Sequence, residues 1–283
     1  MIARLRPTKR AWTCVVWIVA AAFAAPAAPA LAAAGDCPRG VVETLRVSDA
    51  FGEIPSPDYP MNVAAEACKV WPYDPSRLLV AVAYSTDESF VGNRPLHIRV
   101  AMFDAEEHRF LAGYALRKEE DAAFELSEDS LSLDSARYDL APGVRAFGVV
   151  IHNVASGPSC PEYSSDDGLR LFVVDGRQLR PVLAQHLYAW APVEGDPCRW
   201  PMGRAVSDSA RITLAMADEP HAGDRDIRLT AKITRYSNEL DDEDTERVEH
   251  RLLRYDGNRY RPVGDDDVFW LRVPDLPEWR DTR

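Results

Sequence analysis

Two segments decide the fold: LFVVDGRQLRPV (Leu171–Val182) and LLRYDGNRYRPV (Leu252–Val263). Each sets an Asp-Gly pair between short runs rich in β-branched and aromatic residues, and the two lie 81 residues apart without a gap. Asp-Gly supplies the positive φ that a tight hairpin turn demands, so each segment reads as two antiparallel strands. At the same offset Ala146–Val154 falls on Ile227–Arg235, which predicts an internal repeat covering about 146–182 and 227–263. His97–Ala112, with its turn beginning at Asp104, reads as a third and looser copy.

Outward from these hairpins the chain continues as strands. Arg77–Ser85, His97–Phe103, Arg145–Val154, Leu169–Val174, Arg211–Ala217, Asp226–Tyr236 and Val268–Val273 all carry the composition of strands bounded by turn residues. The expected class is all-β, built from antiparallel hairpin repeats as a β-sandwich or a small propeller-like array. Helix is scarce: Ala64–Cys68 and Glu119–Leu126 read as single turns, while Asp218–Arg225 and Asn238–Thr245 read as loops. Pro55, Pro57 and Pro60 make residues 50–62 a stiff linker.

The organisation expected is a cleaved leader (1–34), an extended disulfide-bearing segment (35–75) and a β-rich domain (76–283). The leader has a basic start (Arg4, Arg6, Lys9, Arg10), an apolar run Ala11–Ala25 and small-residue cleavage patterns after Pro29, the order of a secretory signal peptide. Its prolines interrupt the run before it reaches the ~20 apolar residues of a membrane span. Export of this kind predicts a soluble periplasmic or secreted product without a membrane span after cleavage.

The 283 residues carry 33 basic and 45 acidic side chains, for a formal charge of −12. Removing residues 1–34 takes away four positive charges and no acids, leaving 249 residues at −16. That balance disfavours nucleic acid and anionic membrane surfaces as partners and favours a cationic protein or ligand. Lysine occurs only at 9, 69, 118 and 232, so arginine supplies nearly all the positive charge, the pattern of a GC-rich bacterial genome.

Four cysteines follow the leader: Cys37, Cys68, Cys160 and Cys198. Four cysteines allow three connectivities. Cys37–Cys68 with Cys160–Cys198 closes the shorter loops and is the expected pairing in an oxidising compartment. CxxC and paired Cys/His spacings are missing, which argues against a zinc site, and no metal or other cofactor is expected.

Catalytic motifs are equally scarce. GxSxG, SxxK, HExxH and a phosphate-cradling glycine loop do not occur, so no catalytic or cofactor-binding residue is assigned. His152 reads as a strand residue in an apolar run, and His186 precedes Leu187-Tyr188. The candidate contact loops are the acidic clusters Asp241, Asp242, Glu243, Asp244 and Asp265, Asp266, Asp267, with Ser164–Gly168 as a third acidic loop. None has the spaced order of a calcium-binding loop, and solvated charge is their ordinary role. Trp71, Tyr73, Trp190, Trp200, Phe269, Trp270 and Trp279 could stack on sugars, though large rings beside disulfides more often pack in a core.

The segment LDSARYDLAPGVRAFG (Leu133–Gly148), together with CKVWPYDPSR (Cys68–Arg77), resembles a set of uncharacterised bacterial exported envelope proteins. The resemblance implies export and carries no activity. The sequence thus predicts an exported, soluble binding or interaction protein. A secreted hydrolase of envelope or extracellular polymers and a structural envelope component are the alternatives.

Overall fold

The structure is a computed structural model and describes residues 37–48, 51, 61–86, 92–196, 198, 203–239, 244–264 and 267–271. The leader expected over residues 1–34 lies outside the described residues. Among the described residues, twelve strands form three consecutive four-strand meanders. The first comprises β1 (Met61–Val70), β2 (Arg77–Thr86), β3 (Pro95–Asp104) and β4 (Phe110–Glu119). The second comprises β5 (Leu131–Ala141), β6 (Val144–Ile151), β7 (Ser164–Asp175) and β8 (Gln178–Glu194). The third comprises β9 (Val206–His221), β10 (Asp224–Ser237), β11 (Thr245–Tyr255) and β12 (Tyr260–Pro262).

Strand β8 joins them into one mixed sheet. It pairs with β7 from Gln178 to Trp190, with β9 from Tyr188 to Glu194, and with β4 through one parallel bridge between Gln178 and Gly113. The all-β, hairpin-built expectation holds, with the four-strand groups hydrogen-bonded to one another.

The Asp-Gly hairpins pair in corresponding register. Asp175 faces Gln178 across Gly176, whose φ is 62°. Asp256 donates its N–H to the Arg259 carbonyl at 3.0 Å across Gly257, at φ 98°. Further out, Val174↔Leu179 corresponds to Tyr255↔Tyr260, and Phe172↔Pro181 to Leu253↔Pro262. The upstream strands match with a one-residue slip, Phe147↔Phe172 against Ile227↔Leu253. The turn after Asp104 occupies the same third-to-fourth strand position in the first meander.

Strand β2 reads RLLVAVAYS without alternation because both its faces are covered. Leu79, Ala81 and Ala83 enter a core shared with Leu131, Leu133, Phe147 and Phe172 of the second meander. Leu78, Val80, Val82 and Tyr84 enter a smaller core beneath α1 (Arg39–Val47). A third core gathers Leu169, Leu171 and Val173 with Ile212, Ile227, Leu229, Ile233 and Trp270. In β5 the ladder shifts between Asp134 and Tyr138. The Asp134 carboxylate stabilises this bulge by accepting the Ala136 N–H at 2.8 Å and the Tyr138 hydroxyl at 2.6 Å. The bulge re-aims the strand, so Leu131 and Leu133 pack in one core and Tyr138 and Leu140 in another.

Several local expectations are corrected. The segment 35–75 is not simply extended: it holds α1, which buries Val41 and Leu45, and all of β1. Tyr84 donates to the Val42 carbonyl at 2.6 Å, and the buried Arg99 donates to the carbonyls of Leu45 and Arg46, satisfying the last turn of the helix. Ala64–Cys68 belongs to β1, where pairing with β2 overrides the helical preference of alanine. Of the linker expected at 50–62, Met61 and Asn62 begin that strand, and only Phe51 of the remainder is described.

Glu119–Leu126 is a turn rather than a helix. Glu120 is buried there and accepts the N–H groups of Gly92 at 3.0 Å and Leu126 at 2.9 Å. Asp218–Arg225 is not a loop, because the β9–β10 ladder continues to His221↔Asp224 and turns over Ala222-Gly223, both at positive φ. Phe269–Leu271 is a 3-10 turn that buries Trp270, where a strand was expected. Both disulfides take the short-loop pairing, Cys37–Cys68 and Cys160–Cys198. No described helix is long and apolar enough to cross a membrane.

Candidate functional site

Among the described residues, one group of three side chains that could ligate a metal stands where β6 ends and β7 begins. Ile151 pairs with Gly168, which places His152 beside Asp166 and Asp167. The His152 N–H donates to the Ser130 carbonyl at 2.8 Å, fixing its backbone to the start of β5. Asp167 adopts φ 52°, a left-handed conformation that aspartate tolerates better than most residues. This twist turns its carboxylate toward His152.

The Nδ1 atom of His152 lies 2.9 Å from Asp167 Oδ1 and 3.2 Å from Asp166 Oδ2. Asp166 Oδ1 accepts the N–H of Asn153 at 2.9 Å and of Asp167 at 2.7 Å, which locks its orientation. One ligand atom from each of the three residues falls within 4.8 Å of the others. The hydrogen bond to Asp167 raises the His152 pKa above its ordinary 6.5; partial burial opposes this, and both carboxylate charges reinforce it. His152 is half exposed, so the group faces water.

Such a set can do two things. An imidazole and two carboxylates are donors for a divalent cation or acceptors for a cationic side chain. An Asp-oriented imidazole could also act as a base, but nucleophilic catalysis needs a hydroxyl or thiol bonded to it. No described serine, threonine or cysteine side chain bonds the His152 ring, and Cys160 is held in a disulfide.

The sequence-predicted contact acids fare differently. Asp241, Asp242, Glu243, Asp265 and Asp266 lie outside the described residues. Asp244 is exposed just ahead of β11, and Asp267 is exposed three residues before Trp270. Among the described residues neither joins a cluster of metal-ligating groups. Asp166 and Asp167, expected in a loop, sit instead within β7, and that placement brings them to His152. Adjacent acids on a strand ordinarily diverge, and no pattern in the sequence signals the twist at Asp167. The 15-residue separation of His152 from Asp167 likewise resembles no known motif.

Other candidate groups are structural. Trp71 packs against the core that holds Phe147, with ring centroids 6.2 Å apart. Tyr73 lies under the Arg145 guanidinium, 3.9 Å from its ring centroid. Trp270 is fully buried and donates to Glu249 at 3.0 Å. Trp200 and Trp279 fall outside the described residues. A depression beside α1 is lined by Cys37, Arg39, Val42, Glu43, Val63 and Glu66; there Glu43 pairs with Arg46 and Glu66 accepts the Cys37 N–H.

No protein-family model, curated protein or solved structure matches this chain.

Proposed function

We propose that the protein is an exported, soluble binding protein of the bacterial envelope that captures a cationic group, contributed by a protein or a smaller ligand. The observation that carries this reading is the convergence of Asp166 and Asp167 on His152, at 3.2 and 2.9 Å, with all three side chains reaching solvent. The leader pattern at 1–34, the excess of acids and the paired cysteines support export and electrostatic capture. On this reading the matching hairpin registers are two copies of one duplicated unit, used as a rigid scaffold for loops. Long-range attraction by the net negative charge accelerates encounter, and the fixed carboxylates set where the cation sits.

The test is calorimetric titration of residues 35–283 with hexalysine, and separately with calcium and manganese, at low and high salt. The expected result is saturable binding of at least one of these probes that weakens with salt and is lost in the double variant Asp166→Asn, Asp167→Asn. Absence of saturable binding to all three, or equal binding by the variant, overturns the reading.

A further inference from the structure

A second feature lies on the same strand with the opposite sign of charge. Asp166, Gly168, Arg170 and Phe172 alternate onto one face of β7, opposite Tyr188, His186 and Ala184 of β8. Arg170 is only 6 % exposed, yet among the described residues it forms no hydrogen bond or ion pair. Its electrostatic neighbours are Tyr114 on β4, whose ring packs on Phe172 with centroids 5.2 Å apart, and His186. Both ring nitrogens of His186 are buried, and although the ring lies beside the Asp166 main chain, neither nitrogen has a partner at normal hydrogen-bond distance and angle.

Arginine does not shed its proton inside a protein, so a guanidinium without a counter-charge, buried but for the little solvent that reaches its nitrogens, is a poorly compensated cation. The nearby acid, Asp166, is already engaged by His152, Asn153 and Asp167. Between these groups lies Gly168. A Cβ there would meet nothing closer than the Ile151 carbonyl at 3.8 Å, so neither crowding nor a positive φ requires glycine. A glycine inside a strand marks a bend or a place where a ligand or another backbone approaches, and here the left-handed twist lies at Asp167 rather than at Gly168 itself.

We propose that Arg170, with Tyr114 and His186, forms a binding site for an oxyanion group, a carboxylate or a phosphate, seated over Gly168. The guanidinium fork matches two oxygens of either group, and the tyrosine hydroxyl and an imidazole N–H supply further donors. This site is independent of the cation-binding reading, because it uses none of the groups that bond His152.

Thermal unfolding is followed in sodium phosphate, sodium acetate and sodium chloride at matched ionic strength, for the wild type and Arg170→Met. Phosphate or acetate raises the wild-type Tm by about 3–5 °C at tenfold excess over its Kd, and which of them acts identifies the group recognised. Arg170→Met shows no such rise, and in chloride it melts no lower than the wild type, because it removes an unpaired buried charge. A wild type indifferent to both anions overturns the proposal. So does a variant that responds like the wild type, or one that folds but melts well below it in chloride. Should Arg170→Met fail to fold, Gly168→Val retains the guanidinium and fills the space above the strand. Its loss of the anion response supports the site, and an undiminished response overturns it.

Discussion

Replacing Glu120 by alanine should be among the most damaging single substitutions in the chain. Its side chain is fully buried and accepts four hydrogen bonds: Arg94 Nε at 2.7 Å, Arg94 Nη2 at 2.5 Å, Gly92 N at 3.0 Å and Leu126 N at 2.9 Å. The alanine variant keeps only the bond from Arg94 Nη2 to the Leu126 carbonyl, at 2.6 Å. It leaves a largely buried guanidinium without its counter-charge and two backbone donors without acceptors. Breaking a buried pair from one side costs about 3–5 kcal/mol, and each orphaned backbone donor costs about 1–3 kcal/mol where water cannot reach it. These terms overlap, so the expected loss is about 3–5 kcal/mol.

Urea unfolding followed by tryptophan fluorescence measures that loss as a lower midpoint at unchanged slope. Glu120→Gln, which keeps the shape and one acceptor, should lose about half as much. Burial alone would raise the Glu120 pKa, but Arg94 and the two backbone N–H groups outweigh it and hold the value below the ordinary 4.5. A carboxyl with a lowered folded pKa contributes stability that is present above its unfolded pKa and disappears as pH falls through the folded value. Glu120→Gln should therefore flatten the acid limb of the stability curve below about pH 4.5. A cost under about 1 kcal/mol for Glu120→Ala would refute the reasoning, since it would mean that water or the chain re-satisfies Arg94.

Two further outcomes follow from geometry described above. Replacing Cys37 and Cys68 by serine should cost about 2–5 kcal/mol; hydrogen exchange should show the loss concentrated in Arg39–Val47, with the β6–β7 strands still protected. Asp167→Ala removes the hydrogen bond that chiefly raises His152, so an NMR titration should find the His152 pKa moved back toward 6.5. Because that pKa is raised, the pair stabilises the fold below the unfolded value and the contribution fades as pH rises through the folded one, a trend the variant should lack.

What the sequence disclosed was whatever local chemistry determines. Asp175-Gly176 and Asp256-Gly257 specify tight hairpins through the backbone itself, and both turns occur where expected. The cysteine pairing was legible because loop length narrows three choices. The helix α1 was not: its short apolar stripe of Val41, Val42 and Leu45 looks unremarkable until Tyr84 and Arg99 supply distant partners for its backbone. Ala64–Cys68 misled because alanine favours helix in isolation, whereas pairing across β1–β2 decides its state. The candidate site was least legible. His152 opens the 12-residue excursion between Ile151 and Ser164 and the two aspartates lie beyond it, and their meeting depends on one left-handed aspartate. Charge density in acidic runs is visible in sequence, whereas convergence of carboxylates is a property of the ladder.

Strand β8 gives the molecule a common spine. A 17-residue strand spans about 56 Å at an ordinary rise, and its two edges serve partners from all three meanders. Whatever the history of the repeated hairpins, none of the meanders is now a detachable module. Cutting away β9–β12 would strip hydrogen bonds from Tyr188–Glu194 and leave that end of β8 as a bare edge open to pairing with other chains. The three units share one cooperative fate, and changes in β8 are constrained simultaneously by neighbours that lie far apart along the chain.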